Sequence, residues 1–251
     1  IIEEKIKILS KLLIASDGKN SFIQSFCNLT KHKINYDQSA LVLNFQHSKN
    51  HNNTAYEIFL PNGPLATLPV KTNKKRIFTS SLIWSENKEF INHLQNLSKS
   101  FIKDVIEEKT FPYLGKIISI ENIKVFNLNA HICQKFYDKR IVLVGDSAHS
   151  IHPIAGQGWN LGIRDVKYIY DLIKEHSQIG IDIGSKSILR KYNDARFTDV
   201  FSMLCITHGL NKIFSNKYII TNQLRSLGFS YINNNRKLTK QFVNYAMGIN
   251  L

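Results

Sequence analysis

The chain has 251 residues, of which 43% are hydrophobic and 11% aromatic, and its formal net charge is +14. This length and composition allow one large domain or two small ones around an apolar core, and they exclude an intrinsically disordered chain. No apolar run approaches the roughly 20 residues of a membrane-spanning helix. The first residues also lack the long apolar core of a signal peptide.

The positive charge is spread along the chain rather than clustered. Lys is abundant together with Asn and Ile, a mixture that is typical of proteins from AT-rich genomes. The positive charge therefore does not indicate a nucleic-acid partner, and we expect none. An anionic membrane face remains open as a peripheral partner. The three cysteines, at positions 27, 133 and 205, have no paired spacing and predict neither a disulfide nor a metal site. They indicate a reducing, cytoplasmic location.

The first half of the chain predicts a sheet built from hairpins. Residues 8–15 are a short apolar run that ends in a turn signal at 16–21, which predicts a buried strand. A tight turn is expected at 61–64, because two prolines flank an Asn-Gly pair there. Further strands of this antiparallel sheet are expected near 39–47, 54–60, 65–70 and 76–84.

The second half predicts a parallel strand with a helix after it, followed by more helices. The apolar run at 140–146 ends in Gly-Asp, as a buried parallel strand does when it ends at a binding site. No strand–Gly-x-Gly-x-x-Gly–helix unit occurs in the sequence. Helices are expected at 85–108, 158–174, 185–213 and, in two pieces, 216–247, with strands near 116–128.

The segment Val144–Asp165, VGDSAHSIHPIAGQGWNLGIRD, carries the strongest functional signal. Asp146 ends the buried strand, where ligands bind in open α/β sheets, and its carboxylate can accept hydrogen bonds from sugar-like hydroxyls. Glycines allow the backbone to approach a flat ligand, and Pro153 stiffens the loop. The helix from Gly158 then points its N-terminal N–H groups and positive dipole end toward the ligand.

Three other interpretations compete for this segment. The glycines within 156–162 imitate a dinucleotide fingerprint, but their spacing is wrong and they lie about ten residues past the strand. Ser147 after Gly-Asp resembles the nucleophile of a Gly-Asp-Ser hydrolase, but no Asp downstream of Ser147 is followed by a His three positions later. Asp146, His149 and His152 are metal-ligand residue types, although we favour a packing or capping role for His149.

The same segment closely resembles the flavin-contacting motif of the para-hydroxybenzoate-hydroxylase-like monooxygenases, which reads Gly-Asp-Ala-Ala-His, then Pro, then Gly-Gln-Gly-x-Asn-x-Gly and an Asp. It looks most like the branch that hydroxylates ubiquinone precursors. Residues 12–21 resemble the Asp-Gly motif of that family. Further segments that resemble this branch are 59–69 and 80–85 in its substrate domain, and 192–196, 208–215 and 246–248 in its C-terminal helices.

The resemblance implies an α/β (α+β) fold: an incomplete FAD-binding Rossmann-like domain with an inserted antiparallel-sheet substrate domain and C-terminal helices. The resemblance assigns residues 1–30 and 131–180 to the FAD-binding domain and residues 31–130 to the substrate domain. It assigns residues 181–251 to the C-terminal helical region. The family's N-terminal third, with its Gly-rich turn for the ADP phosphates, has no counterpart here. The resemblance therefore implies a truncated or split enzyme that works with an N-terminal chain, or else a non-catalytic scaffold subunit of the ubiquinone pathway.

The implied activity is hydroxylation of a polyprenylated phenol or quinol, with FAD as cofactor, NAD(P)H as reductant and molecular oxygen as co-substrate. The family's Asp-Gly motif ends in Arg, and Gln24 stands near that place, which weakens the NAD(P)H expectation. The basic, apolar C-terminal helices either dock peripherally at the inner membrane face or pack on the flavin domain, and both interpretations stay open. No catalytic residue and no metal ligand are assigned. The residues implied in cofactor binding are Asp17 and Gly18 near the pyrophosphate, Gly145 and Asp146 near the ribityl chain, and Pro153, Gly156, Gln157, Gly158 and Asn160 along the isoalloxazine ring.

Overall fold

The computed structural model describes residues 8–71, 77–214, 228 and 230–247. In chain order, its helices and strands are β1 (Leu13–Ala15), α1 (Phe22–Phe26), β2 (Lys31–His47), β3 (Tyr56–Leu60), β4 (Gly63–Val70), β5 (Phe78–Asn87), α2 (Lys88–Leu94), α3 (Lys99–Leu114), β6 (Ile117–Cys133), β7 (Tyr137–Asp138), β8 (Ile141–Leu143), β9 (His149–Ser150), α4 (Gly158–Gln178), α5 (Lys186–Phe214) and α6 (Arg236–Met247).

The described residues fall into two compact units. The first unit draws on positions 1–34, 130–209 and 230–251, and the second on 35–129 and 210–229. The mixed α/β class that the sequence implies is confirmed. The assignment of separate roles to 1–30, 31–130, 131–180 and 181–251 stays a prediction.

The first unit is built around a small sheet with the order β1-β8-β7. β1 and β8 are parallel, with Leu13 opposite Ile141 and Ala15 opposite Leu143. β7 pairs antiparallel with β8. The side chains of Val142 and Leu143 are fully buried, as the apolar run predicts for a strand covered on both faces. α4 and α5 follow the sheet in the chain, and the buried Tyr192 of α5 donates its hydroxyl to the carbonyl oxygen of Leu143 at 2.9 Å.

The second unit is an antiparallel sheet with helices α2 and α3. Its strands follow the order β3-β4-β5-β2, and β6 lies next to β2. Buried and half-buried positions alternate along β2 from Leu41 to His47, as expected for a strand with one face on the core. The core of this unit consists of Leu41, Leu43, Phe45, Leu65, Leu82, Trp84, Ile91, Leu94, Ile102, Ile106, Leu114, Ile117 and Ile120.

Several predicted boundaries are wrong. The run 8–15, expected as a buried strand, pairs only at Leu13–Ala15, because its partner β8 is three residues long. Of these three residues only Ala15 is buried, since β1 lies at the edge of the described sheet. The single helix expected at 85–108 is two helices, since the Ser98 side chain accepts a hydrogen bond from the Phe101 N–H and starts α3 there. The strands expected near 116–128 are one strand of 17 residues, β6. Much of the helical prediction for 216–247 lies outside the described residues.

The chain's helices do not suggest a membrane span: within the ranges that the structure describes, no helix is long and apolar enough to cross a bilayer.

Candidate functional site

Two segments singled out from the sequence meet at one edge of the first unit's sheet. Because β1 and β8 run parallel, their carboxyl ends lie side by side. The N–H of Val144 donates to the carbonyl oxygen of Ala15 at 2.9 Å and extends the pairing by one step. Asp17 follows β1 and Asp146 follows β8, so the sheet brings the Asp-Gly motif and the Gly-Asp motif to the same edge.

Ser147 joins the two segments directly. Its hydroxyl donates to one carboxylate oxygen of Asp17 at 3.0 Å and accepts the N–H of Gly18 at 3.0 Å. The other carboxylate oxygen of Asp17 accepts the N–H of Phe22 at 2.8 Å and that of Ile23 at 3.3 Å, at the start of α1. These bonds connect the Asp-Gly turn, Asp17–Gly18, to the start of α1 and to Ser147 after β8. The link to Ser147 joins residues more than 120 positions apart in the sequence.

The hydrogen bonds also hold Asp17 ionised. Burial raises the pKa of this carboxyl, but hydrogen bonds from Ser21, from the Ile23 N–H and from Ser147 outweigh burial and lower the pKa to about 2. Gly18 has a φ of +83°, a conformation that favours glycine. The turn is therefore specified both by its charge and by its backbone.

The alternatives for this segment find no support. The Ser147 side chain is fully buried and its hydroxyl is engaged by Asp17 and Gly18, so it is not available as a nucleophile. His149 is buried against Phe136 and bonds to Asp165 at 2.6 Å, a packing role as favoured from the sequence. Across the described part of the chain, no three His, Cys, Asp or Glu side chains are grouped to hold a metal ion.

Positive charge lies beside Asp146, and the sequence did not indicate it. The carboxylate of Asp146 is exposed and interacts electrostatically with Lys19. Lys31, at the start of β2, donates its ammonium to the carbonyl oxygen of Lys19 at 3.0 Å. Burial and the charge of Lys31 lower the pKa of His131 to about 4. Its ring is therefore neutral, and Nε2 donates to the carbonyl oxygen of Asp146 at 3.1 Å.

The loop after β9 leads into the open end of α4. Pro153 begins a short turn in which the Gly156 N–H donates to the Pro153 carbonyl at 2.9 Å, and Gly156 has a φ of +61°. No side chain caps the first N–H groups of α4. The amide of Asn160 instead donates to the side chain of Gln157 at 3.2 Å. A Cβ built on Gly156 or Gly158 would meet nothing within 4 Å, so open space lies in front of this backbone.

A buried ion-pair network stabilises the Gly-Asp turn, Gly145–Asp146. Asp165 of α4 is fully buried, and its carboxylate accepts the Gly145 N–H at 2.9 Å and Arg196 Nε at 2.7 Å. Burial raises the pKa of Asp165, but His149 and Arg196 outweigh it and lower that pKa. Arg196 also donates to Asp199 at 2.7 Å. Gly145 has a φ of +59°, a conformation that few other residues adopt. The hydrogen bond from its N–H to Asp165 therefore stabilises a turn that favours glycine.

These features fit the cofactor that the sequence resemblance implies. The edge offers an exposed carboxylate for hydroxyl groups, two lysines for a charged phosphate group, and an uncapped helix N-terminus with open space in front of it. The roles of Asp17, Gly18, Gly145, Asp146 and the 153–160 loop in binding stay predictions. Lys31 and His131 lie in no segment that the sequence analysis singled out. Lys19 and Arg196 lie in the family-like segments 12–21 and 192–196, but the sequence assigned them no role in the site.

We expect Ser147→Ala to loosen the Asp-Gly turn. The variant removes one hydrogen bond to Asp17, so the Asp17 pKa rises above about 2 and the free energy of unfolding at neutral pH falls by about 1 kcal/mol. A carboxyl with a lowered pKa stabilises the fold above its unfolded value of 3.8, and that stability is lost as the pH falls toward 2. The variant should lose less stability over this window. An NMR titration of Asp17 and urea unfolding at several pH values measure both effects.

The matched control is Ser202→Ala, whose hydroxyl donates within α5 to the Thr198 carbonyl at 2.8 Å. This control should leave the Asp17 pKa unchanged. An unchanged Asp17 pKa in Ser147→Ala would contradict the proposed link between the two segments.

Arg196→Met should cost far more stability than the removal of an exposed arginine. It leaves the buried Asp165 carboxylate without its arginine partner, and we expect a loss of about 3 kcal/mol in the free energy of unfolding. The comparison variant is Arg190→Met, whose pair with Asp194 is exposed at 72% and 62%, and it should cost less than about 0.5 kcal/mol. Equal losses in chemical denaturation would refute the buried network as the support of this turn.

Comparison with known proteins agrees with this geometry. The FAD binding domain family matches residues 3–200. The chain is 31% identical to ubiquinone hydroxylase UbiL of Rhodospirillum rubrum over 241 residues, covering 96% of the chain and 55% of that protein. It is 30% identical to 3-demethoxyubiquinol 3-hydroxylase of Escherichia coli over 242 residues, covering 96% of the chain and 60% of the relative. The chain thus spans little more than half the length of these relatives.

A solved structure shows the same fold. The p-nitrophenol 4-monooxygenase of Pseudomonas putida superposes with a TM-score of 0.72 at 16% identity, covering 95% of this chain and 59% of that one. At this identity the likeness concerns the fold alone. The match over residues 3–200 is long enough to assign the family, and it covers both segments that meet at the sheet edge. The chain belongs to the FAD binding domain family.

Proposed function

We propose that the chain forms the flavin-contacting part of an FAD-dependent monooxygenase that hydroxylates a polyprenylated phenol or quinol in ubiquinone biosynthesis. The observation that carries the proposal is the junction of the Asp17 and Asp146 segments through Ser147 at the carboxyl edge of a parallel sheet. The names of the relatives supply the substrate class, since they are ubiquinone hydroxylases.

In the proposed enzyme, FAD reduced by NAD(P)H supplies the activation of molecular oxygen for the hydroxylation. Asp146 accepts hydrogen bonds from the hydroxyl groups of the cofactor's sugar-like chain. Lys19 and Lys31 favour its phosphate groups beside the Asp17–Gly18 turn. The uncapped N–H groups at the start of α4 favour negative charge on the ring.

We further propose that another polypeptide segment covers the first unit and supplies the remaining cofactor contacts. Two observations support this. β1 is an edge strand of the described sheet, and its Leu13 and Ile14 are 37% and 48% exposed. α4 carries an exposed apolar stripe at a spacing of one helix face. This stripe consists of Trp159, Ile163, Val166 and Tyr170, each more than half exposed.

Asp146→Ala tests the cofactor assignment. The chain would be purified alone and after co-expression with a strand–helix–strand segment that carries the Gly-rich turn of the resembled family, and the flavin absorbance per chain would be measured. We expect flavin to co-purify with the assembled protein and to be lost in Asp146→Ala, because the variant removes the carboxylate acceptor at the sheet edge.

The control is Asp171→Ala, which removes an exposed carboxylate of α4 that pairs with Lys167 and should leave the flavin content unchanged. Full flavin content in Asp146→Ala, or no flavin in any of these preparations, would overturn the assignment.

We also propose that the protein works in the cytoplasm at the inner face of an anionic membrane, where a prenylated substrate lies. α6 carries exposed Lys237 and Lys240. α6 also packs on the rest of the first unit, since the Arg164 guanidinium donates to the Tyr245 carbonyl at 2.7 Å and Tyr245 bonds to Asp199 at 3.1 Å. Docking would therefore use the outer, basic face of this helix.

Charge reversal tests this docking surface. Lys237→Glu with Lys240→Glu should weaken sedimentation with anionic vesicles by at least about tenfold, since each basic residue contributes about 1 kcal/mol near such a surface. Lys88→Glu with Lys99→Glu makes the same charge change at exposed positions on α2 and α3 and should have a smaller effect. Equal binding of both double variants would remove α6 as the docking surface.

A further inference from the structure

A second candidate site lies at the other end of the first unit's sheet. The carboxyl ends of β1 and β8 carry Asp17 and Asp146, whereas Lys139 and Arg140 immediately precede β8 at its amino end. Here the structure has a cavity of about 640 Å³. Its lining includes four basic side chains, from Lys135, Lys139, Arg140 and Lys186, and a single carboxylate, from Asp138.

Arg140 is already engaged within the protein. Its guanidinium donates to the Lys11 carbonyl at 2.7 Å and forms a two-point contact with Asp182. Gly184 makes room for this arrangement, because a Cβ there would lie 2.6 Å from the guanidinium and 2.3 Å from the Lys11 carbonyl oxygen. Arg140 thus shapes the wall of the cavity while Asp182 compensates its charge.

The three lysines have no such compensation. Within the described ranges, Lys135, Lys139 and Lys186 form no ion pair within 4 Å. Asp138 is the only carboxylate of the lining, so three lysines against one carboxylate leave two positive charges at the cavity. A concave surface with unpaired charge of one sign concentrates ions of the opposite sign.

The start of α5 adds to this positive potential. α5 begins at Lys186 and has 29 residues, and Lys186 and Leu189 of its first turn line the cavity. The first-turn N–H groups of a long helix carry a positive partial charge. Cys27, also in the lining, does not offset it, since burial and the nearby Asp138 raise the pKa of its thiol and keep it neutral.

We propose that this cavity binds the phosphate group of a ligand, with Lys135, Lys139 and Lys186 as the charged contacts. Two phosphate sources share this chemistry: a soluble phosphate compound and the headgroup of a phospholipid. The second source is relevant because α1, which ends directly before Cys27, exposes Phe22 and Phe26 at 72% and 70%. Their rings stack at 6.2 Å between centroids and offer an apolar contact for acyl chains. This proposal is independent of flavin binding and of the docking surface on α6.

The experiment measures binding of two probes to the full chain by titration calorimetry at low salt: inorganic phosphate, and monomeric dihexanoyl phosphatidic acid below its micelle concentration. The cavity variant is Lys135→Gln with Lys186→Gln, and the control is Lys88→Gln with Lys99→Gln. Both variants remove two exposed lysines and the same charge. Circular dichroism and unfolding in urea verify that each variant folds like the unchanged chain.

We expect the cavity variant to bind the preferred probe about tenfold more weakly, with the control unchanged. If inorganic phosphate binds and the cavity variant binds it more weakly, a soluble phosphate compound is sufficient as the ligand. If only the short-chain lipid binds, and both the cavity variant and Phe22→Ser with Phe26→Ser weaken it, the source is a lipid. If neither probe binds, or if cavity variant and control bind equally, phosphate has no site in this cavity and the proposal is overturned.

Discussion

The parallel pairing of β1 with β8 is the constraint on which the rest of the first unit depends. Only three residue pairs form this contact, yet it joins segments that are more than 120 residues apart in sequence. A parallel pair requires a long crossover connection, and here the chain between the two strands contains residues 35–129 of the second unit. Without this pairing the Asp-Gly turn and the Gly-Asp turn would belong to no common site.

The buried polar contacts make this short pairing specific. The Ser147 hydroxyl fixes the register of one turn against the other, and Asp165 fixes the backbone of Gly145 from inside. Buried charges are costly unless they are paired, so Asp165 has two partners, His149 and Arg196. The site thus rests on hydrogen bonds whose geometry has few alternatives, while apolar burial alone would tolerate small shifts of one strand along the other.

The sequence was sufficient for the parts of the fold that follow local rules. The apolar run before Gly145 predicted a buried strand, and the glycine-rich loop predicted the open start of α4, because both signals are contained in adjacent residues. Boundaries that depend on a distant partner were not predictable in this way. The length of β1 is set by β8, and the break between α2 and α3 depends on the Ser98 cap, which competes with a continuous helical pattern. Lys31 and His131 join the site only through the fold, so no sequence motif could indicate them.

The positions of the two tryptophans have a practical consequence. Trp84 is buried in the core of the second unit, whereas Trp159 is 62% exposed at the first position of the apolar stripe on α4. Since the chain contains no other tryptophan, its intrinsic fluorescence separates into one component from a dry environment and one from a wet environment. Any polypeptide that covers the α4 stripe would shift only the second component to shorter wavelength. The tryptophan fluorescence of the protein therefore reports whether the apolar stripe of α4 is covered.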